Sequence, residues 1–406
     1  MKNLFPAIPV PEHHSPLQIL ILAPQPFFQE RGTPIAVRCL AEELAKDGNA
    51  VDLLVFHEGS PVELNGVTLH RTARIPGVHG IKPGFSLKKL LYDGLLFCKS
   101  VALIRRKNYH LVHAVEEAAF MGLFIHLFFD IPFVYDMDSL LSLQLTEKFP
   151  FLCPLAGIME WCEKKVMRRS KGILAVCQSL EAKAKSLAPQ VPVVRLEDFS
   201  LLERSATITE DLRQNHRIAG CLFMYVGNLE QYQGIDLLLD AFALLDNERG
   251  QASLVIIGGS DKDIDLYRSR TGQLGISEQV FFLGPRPVEH LCQYLTQADV
   301  LVSPRIQGNN TPMKIYSYLD SGRPVLATRM DTHTQVLDEE IALLADPVPQ
   351  AFAQGMAALQ ADSRLRGQLA RAASDRVCQR YSREAFSLKL RQFYADITPS
   401  MTATNS

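Results

Sequence analysis

The chain has little charge of either sign to spare: 42 Lys and Arg stand against 44 Asp and Glu, a formal net charge of −2. Proteins that grip nucleic acid through its phosphates need a basic balance, so that class of partner has no global electrostatic support. Cysteine is scattered, with eight residues and no C-x-x-C pair. A structural zinc site of the usual spacing is therefore not expected, and Cys177 and Cys221, set in apolar runs, read as buried reduced thiols. No apolar run reaches the roughly 18–20 residues of a spanning helix. The nearest approach, 120–129, is interrupted by His126. The first 16 residues hold Pro6, Pro9, Pro11 and Pro16 and begin no apolar run, so they read as a loose leader and not a secretory signal.

What is present is an ordinary globular composition, 47% apolar and 21% charged. At 406 residues the chain exceeds what one core usually serves, and two domains are expected. Strand-like runs lie at 17–22, 51–56, 110–114, 132–135, 172–177 and 192–196. They recur at 222–226, 253–257, 279–283, 299–303, 325–327 and 342–344. Helical periodicity falls between them, as at 36–47, 87–106, 118–128, 234–245 and 313–321. The alternation predicts an α/β protein with two mostly parallel sheets, each covered on both faces. The polar stretch 201–220 is the expected linker between domains at 17–200 and 221–382. Two helices in succession, 363–381 and 383–394, close the pattern, and 398–406 reads as a disordered tail.

The stretch 299–328 says most about function. A buried-type strand runs into a polar loop holding Gly308, Asn309, Asn310 and Thr311, then Pro312 at a helix start, Gly322 at its end, and a second strand. Such a loop, at the carboxyl end of a parallel strand, is the usual ligand site of an open α/β sheet. Its backbone N–H groups and positive helix end favour anions. The closing segment 319–328, L-D-S-G-R-P-V-L-A-T, resembles the donor-binding segment of glycosyltransferase family 4. The segment 223–239, F-M-Y-V-G-N-L-E-Q-Y-Q-G-I-D-L-L-L, resembles that family's other donor motif.

The resemblance implies a GT-B fold: two Rossmann-like domains facing a cleft, with a C-terminal helix crossing back to the first. It implies a retaining, metal-independent hexosyltransferase whose nucleotide sugar is a substrate, so that no cofactor is needed. The donor would sit on the second domain and the acceptor on the first. Several residues depart from the family pattern. Asn228 and Gln233 stand where Arg and Lys usually hold the diphosphate. Asn309 and Ser317 stand where two Glu form its signature. His113 is kept, but Val115 replaces a second, often catalytic, His.

Each candidate has a plain alternative. Gly308, Asn310 and Thr311 with Lys314 are read as a phosphate and sugar nest, Lys314 supplying the charge missing at Asn228 and Gln233, against an ordinary β–α loop with a solvated Lys. Arg305 is a second cation candidate. Gly227, Asn228 and Gln233 form a diphosphate loop or simply a turn. Gly32 and Thr33 border the cleft in the first β–α loop, where Arg31 would meet an anionic acceptor. Glu116, Glu117, Asp136 and Asp138, beside two strand ends, serve as base and acceptor contacts or as helix caps. Glu116, Asp138 and Asn309 are taken as catalytic. His113 is read as a core histidine, and His333 as a sugar or base contact or a turn residue.

The segment 82–107 carries Lys82, Lys88, Lys89, Lys99, Arg105, Arg106 and Lys107 against Asp93 alone. Leu87, Leu90, Leu91, Leu95, Cys98, Val101 and Ala102 recur at helical spacing. That is a basic amphipathic helix, able to lie on an anionic membrane or to pack its apolar face on its own domain. The expected protein is cytoplasmic, or peripheral on the inner face of a membrane, with a glycan or lipid-linked acceptor from polysaccharide synthesis. A non-catalytic paralogue binding a glycan or a partner transferase, and a sugar-nucleotide epimerase, are the rival readings.

Overall fold

The computed structural model describes residues 16–29, 32–78, 80–81, 86–140, 156–202, 210–245 and 251–398. It forms two compact units. Unit 1 runs to Glu197 and resumes at Phe386, and unit 2 is the intervening Asp198–Ala385.

Unit 1 is built on strands β1 (Gln18–Leu22), β2 (Ala50–Val55), β3 (Val67–Arg71), β4 (Leu111–Val115), β5 (Phe133–Met137), β6 (Gly172–Ala175) and β7 (Val193–Arg195). Their order is β3-β2-β1-β4-β5-β6-β7, and every pairing is parallel. A parallel strand covered on both faces is apolar without alternation, and Ile19, Leu20, Ile21 and Leu22 are all fully buried. The helices are α1 (Gly32–Lys46), α2 (Leu87–Ile104), α3 (Ala118–Phe129), α4 (Ala156–Arg169) and α5 (Gln178–Leu187). From β3 onward each connection steps the same way along the sheet, so right-handed crossovers stack α2, α3, α4 and α5 on one face. Tyr92, Ile125, Val166 and Leu180, one from each, pack into a single core with Leu20, Val112 and Tyr135.

Unit 2 holds β8 (Cys221–Val226), β9 (Ala252–Ile257), β10 (Val280–Gly284), β11 (Val300–Ser303), β12 (Val325–Thr328) and β13 (Leu343–Ala345). They are ordered β10-β9-β8-β11-β12-β13, again all parallel. Its helices are α6 (Leu212–His216), α7 (Ile235–Leu244), α8 (Asp261–Leu274), α9 (Leu291–Leu295), α10 (Lys314–Asp320), α11 (Asp331–Thr334), α12 (Pro349–Ala361) and α13 (Ser363–Arg380). The chain leaves β8 toward β9 on one side and later returns through β11 on the other. The loops after these two neighbouring strands therefore diverge, and a crevice opens at the carboxyl edge between them, the switch point of an open sheet.

The last helix, α14 (Arg383–Ile397), belongs to unit 1 from Phe386 onward. Lys389 pairs with Glu197 at 2.7 Å, and the Tyr394 hydroxyl lies 2.8 Å from His113 Nδ1 in β4. Part of the stretch read as a linker is folded into unit 2. Asp211 caps α6 by accepting from Gln214 N, and Leu201 N donates to Ser317 Oγ at 3.1 Å. No helix among the described residues is long and apolar enough to cross a membrane.

Candidate active site

At the switch point of unit 2, β8 ends in Gly227 and β11 runs on into Pro304, Arg305 and the loop to α10. Gly227 has φ +152°, and a Cβ there would lie 3.0 Å from Tyr225 Oη and 3.1 Å from Lys314 Nζ. Glycine suits this positive φ, and the Lys314 ammonium and Tyr225 hydroxyl leave a side chain little room. The same holds at Gly308 (φ +122°), whose Cβ would fall 2.2 Å from the Arg305 guanidinium.

Lys314 opens α10 and folds back under the β8 loop. Its Nζ donates to Gln233 Oε1 at 3.0 Å and sits 3.9 Å from the Tyr225 ring centre. Arg305, only 8% exposed, donates Nε–H to Gln307 O at 2.7 Å and stands 5.1 Å from the Tyr232 ring centre. Burial holds both side chains below their ordinary pKa, and Arg305 pushes Lys314 further the same way. Among the described residues neither has a carboxylate within ion-pairing distance. These two neighbouring, largely desolvated basic groups meet, among the described residues, tyrosine faces and amide oxygens only, an environment in which a charge gains from an added anion. Thr311, 4% exposed, adds a hydroxyl Oγ1 that has no hydrogen-bond partner in the fold.

Other predicted residues lie at the same loops and make contacts within the fold. Gln233 is buried, and its oxygen is taken by Lys314. Asn228 braces its own turn: its carbonyl accepts from Tyr225 Oη at 2.6 Å, and its Oδ1 accepts from Glu230 N at 3.4 Å. Asn310 Oδ1 accepts from Arg305 at 3.4 Å. Asn309 is exposed, and its backbone oxygen accepts from Gln335 at 3.0 Å.

Two expectations are corrected. Ser317 is 1% exposed and its Oγ accepts from Leu201 N at 3.1 Å, so this signature position lies inside the fold. His333 is fully buried. Its Nδ1 lies 2.8 Å from Thr328 O, which can only accept, so Nδ1 carries the proton and Nε2 accepts from Ser303 Oγ at 2.9 Å. Burial pushes this imidazole down to a pKa of about 3, keeping it neutral. Thr328 Oγ1 in turn donates to Arg305 O. His333 therefore ties the ends of β11 and β12 together and fixes Arg305, rather than touching a sugar. Helix α10 is also shorter than expected, seven residues, so charge here comes from side chains more than from a helix dipole.

Tyr225, Tyr232 and Tyr318 escaped the sequence reading. Tyr318 Oη accepts from Val226 N at 2.7 Å and locks α10 onto the end of β8. Tyr225 and Tyr232 flank Asn228 in the quoted motif, and aromatics beside missing cations were the available signal.

In unit 1, Gly32 and Thr33 form the first turn of α1. A Cβ at Gly32 would meet nothing within 4 Å, so no close approach requires glycine. Arg31 and Lys82 lie outside the described residues. Glu116 follows β4 with φ 50°, its N–H donating to Asp136 O at 2.9 Å. Burial pushes its carboxyl up and Asp136 adds to this, against the pull of Lys89 and Ser139. Asp138 comes directly after β5 and is partly enclosed. Glu117 occupies the N-cap position of α3 without a side-chain cap bond, and its carboxylate meets Lys89 instead. His113 is a core residue, as read, and bridges Tyr394 and Asp136, with Nε2 3.1 Å from Asp136 Oδ2.

Of the two arrangements expected for α2, the one that packs Leu87, Leu90 and Leu91 on its own domain does not hold. The face turned inward carries Lys89, Tyr92, Leu96, Ser100 and Ile104, and Leu87, Leu90 and Leu91 are 81%, 55% and 50% exposed. Lys89 goes inside because Glu117 and Asp93 await it there, Asp93 at 3.6 Å.

Residues 31–194 match the family model Glycosyltransferase Family 4, and residues 220–362 match Glycosyl transferases group 1. D-inositol 3-phosphate glycosyltransferase of Corynebacterium diphtheriae is 24% identical over 95% of this chain and 93% of its own. Sucrose-phosphate synthase from Thermosynechococcus elongatus superposes with a TM-score of 0.78 at 20% identity, covering 95% of this chain and all of that one. The Anabaena protein HepE, solved in complex with UDP, gives 0.71 at 17% identity, with the same coverage. The chain belongs to glycosyltransferase family 4 and has the GT-B fold. It is a glycosyltransferase whose donor-motif positions depart from the family pattern.

Proposed function

We propose that unit 2 binds a nucleoside-diphosphate sugar, with Lys314 and Arg305 holding the diphosphate and Thr311 donating or accepting at its edge. The observation that carries this reading is the pair of enclosed cations that have no carboxylate partner among the described residues. A folded chain tolerates such a pair poorly unless an anion completes it. HepE holds UDP, which supports a uridine nucleotide as the first to try. As the sugar's bond to the diphosphate breaks, charge grows on the leaving oxygen, and fixed cations stabilise it there. The sugar passes with retention of configuration, and without a metal, to a glycan or lipid-linked precursor on unit 1. There Glu116 and Asp138, at the ends of β4 and β5, meet the acceptor hydroxyl, and Gly32 and Thr33 border it. Such an acceptor places the protein on the cytoplasmic face of a membrane.

The test is thermal shift and calorimetry with UDP, UMP and a panel of nucleotide sugars, since a ligand of the folded state raises its stability by mass action. UDP is expected to bind well above UMP. Lys314→Ala is expected to weaken UDP by about 1.5–3 kcal/mol, the range for hydrogen bonds to charged groups. No shift with any nucleotide at millimolar concentration overturns the reading.

A further inference from the structure

We infer that the outer face of α2, α3 and α4 is a docking surface for an anionic lipid membrane. The inference deepens the reading of a lipid-linked acceptor, but it stands on different residues and is tested apart from donor binding.

Helix α3 contains no charged residue along its 12 positions, A-A-F-M-G-L-F-I-H-L-F-F. Its inward residues, Ala118, Ala119, Gly122 and Ile125, account for one face only. The opposite face exposes Phe124 (45%), Leu127 (58%) and Phe128 (66%), at the i, i+3, i+4 spacing of a continuous stripe. The flanking helices of the same layer do likewise. Leu87, Leu90 and Leu91 project from α2, and Ile158 and Trp161 from α4, at 61% and 55% exposure. The rings of Phe97 in α2 and Phe124 in α3 meet edge-on at 5.1 Å, and Phe124 stacks on Phe128 at 4.2 Å, so the stripes of α2 and α3 join. Large apolar side chains exposed singly are ordinary, whereas three adjacent helices turning them out together mark an interaction surface.

Charge identifies the occupant. The exposed cations on these helices and their ends are Lys88, Arg105, Arg106, Lys165, Arg168 and Arg169, with Lys107 also exposed but paired with Asp52 at 2.7 Å. The carboxylates beside them are few: Asp130 is exposed, Glu160 is spent on Lys183 at 2.6 Å, and Asp93 faces Lys89. Lys165 Nζ lies 3.7 Å from the Trp161 ring centre, a tryptophan and a cation side by side as at a bilayer interface. Apolar stripes rimmed by cations fit a sheet of hydrocarbon under anionic headgroups.

The full chain is to be sedimented with phosphatidylglycerol–phosphatidylcholine vesicles and with pure phosphatidylcholine vesicles, across a salt series. Binding is expected to the anionic vesicles only and to weaken with salt. Leu127→Ser with Phe128→Ser, and independently Leu90→Ser with Leu91→Ser, should lower it at least about tenfold while leaving the melting temperature unchanged. UDP binding, seated in unit 2, should persist in both variants. If UDP binding is absent but vesicle binding follows this pattern, the surface stands and the donor reading falls. Equal binding by wild type and variants, no binding to either vesicle, or a dimer that the same substitutions dissolve, overturns the inference.

Discussion

Positive charge near the carboxyl ends of β8 and β11 sits on Lys314 and Arg305, whereas the family pattern resembled by the sequence would put it at positions 228 and 233. Lys314 reaches Gln233 from α10, 81 positions along the chain, and its Nζ fills the hollow over Gly227. The nearness of Lys314 to Gln233 was legible in part, because a cation missing from one loop invites one from its neighbour. The role of His333 was not legible, since a histidine after a strand end reads the same in a core or a crevice. Its burial has a testable consequence. The folded imidazole has a pKa of about 3, against an ordinary value of 6.5, so between these values the unfolded chain binds the extra proton. The neutral histidine's contribution is complete above about pH 6.5 and is lost as pH falls toward 3, at up to roughly 1.4 kcal/mol per pH unit. Urea unfolding from pH 7 to 4 should show this slope, and His333→Asn should flatten it. An unchanged slope in that variant would assign the acid sensitivity elsewhere.

At the scale of elements, most periodic helices and the fully apolar strands were legible to within a residue or two, though α1 starts four residues before its pattern. Helix α3 begins where its pattern does and ends one residue later, and β8 and β9 start one residue early. Strand β3 was missed because V-T-L-H-R is short, half polar and partly exposed at the sheet edge, with none of the apolar continuity of a central strand. Helix α2 was placed correctly, and of its two expected rotations the one with the leucines inward is not the one found. Apolar periodicity normally picks the inner face, and here an ion pair chose it instead. Lys89, with 10% of its side chain exposed, is held by Glu117 and Asp93. Lys89→Ala should cost about 3–5 kcal/mol by stranding those carboxylates. Its exposed neighbour gives the contrast: Lys88→Ala should change stability by less than about 0.5 kcal/mol. Denaturant midpoints compare the two directly, and equal effects would mean that the ion pair contributes nothing to the fold.

At the scale of the molecule, unit 2 is inserted into unit 1. The chain leaves the first sheet at Glu197 and returns only with Phe386, so the first unit lacks its final helix until almost the whole chain is made. That helix is not held by apolar packing alone. Tyr394 donates to or accepts from a buried histidine that also touches Asp136, and Arg391 and Lys389 pair with Asp47 and Glu197. The two halves of the proposed chemistry thus depend on separate structural supports, and hydrogen exchange can pull them apart. Saturating UDP should raise protection in β8 and β11 by about 2.7 kcal/mol at a hundredfold excess over its Kd, because the ligand stabilises only the state that binds it. Tyr394→Phe removes a buried hydrogen bond and leaves His113 Nδ1 without its partner, at a cost of about 1–3 kcal/mol. Its effect should appear in β4 and β5 and leave UDP protection in unit 2 unchanged. If Tyr394→Phe instead lowered protection in β8 and β11 by the same amount, the two units would unfold as one, and donor and acceptor supports would have to be treated as a single cooperative element.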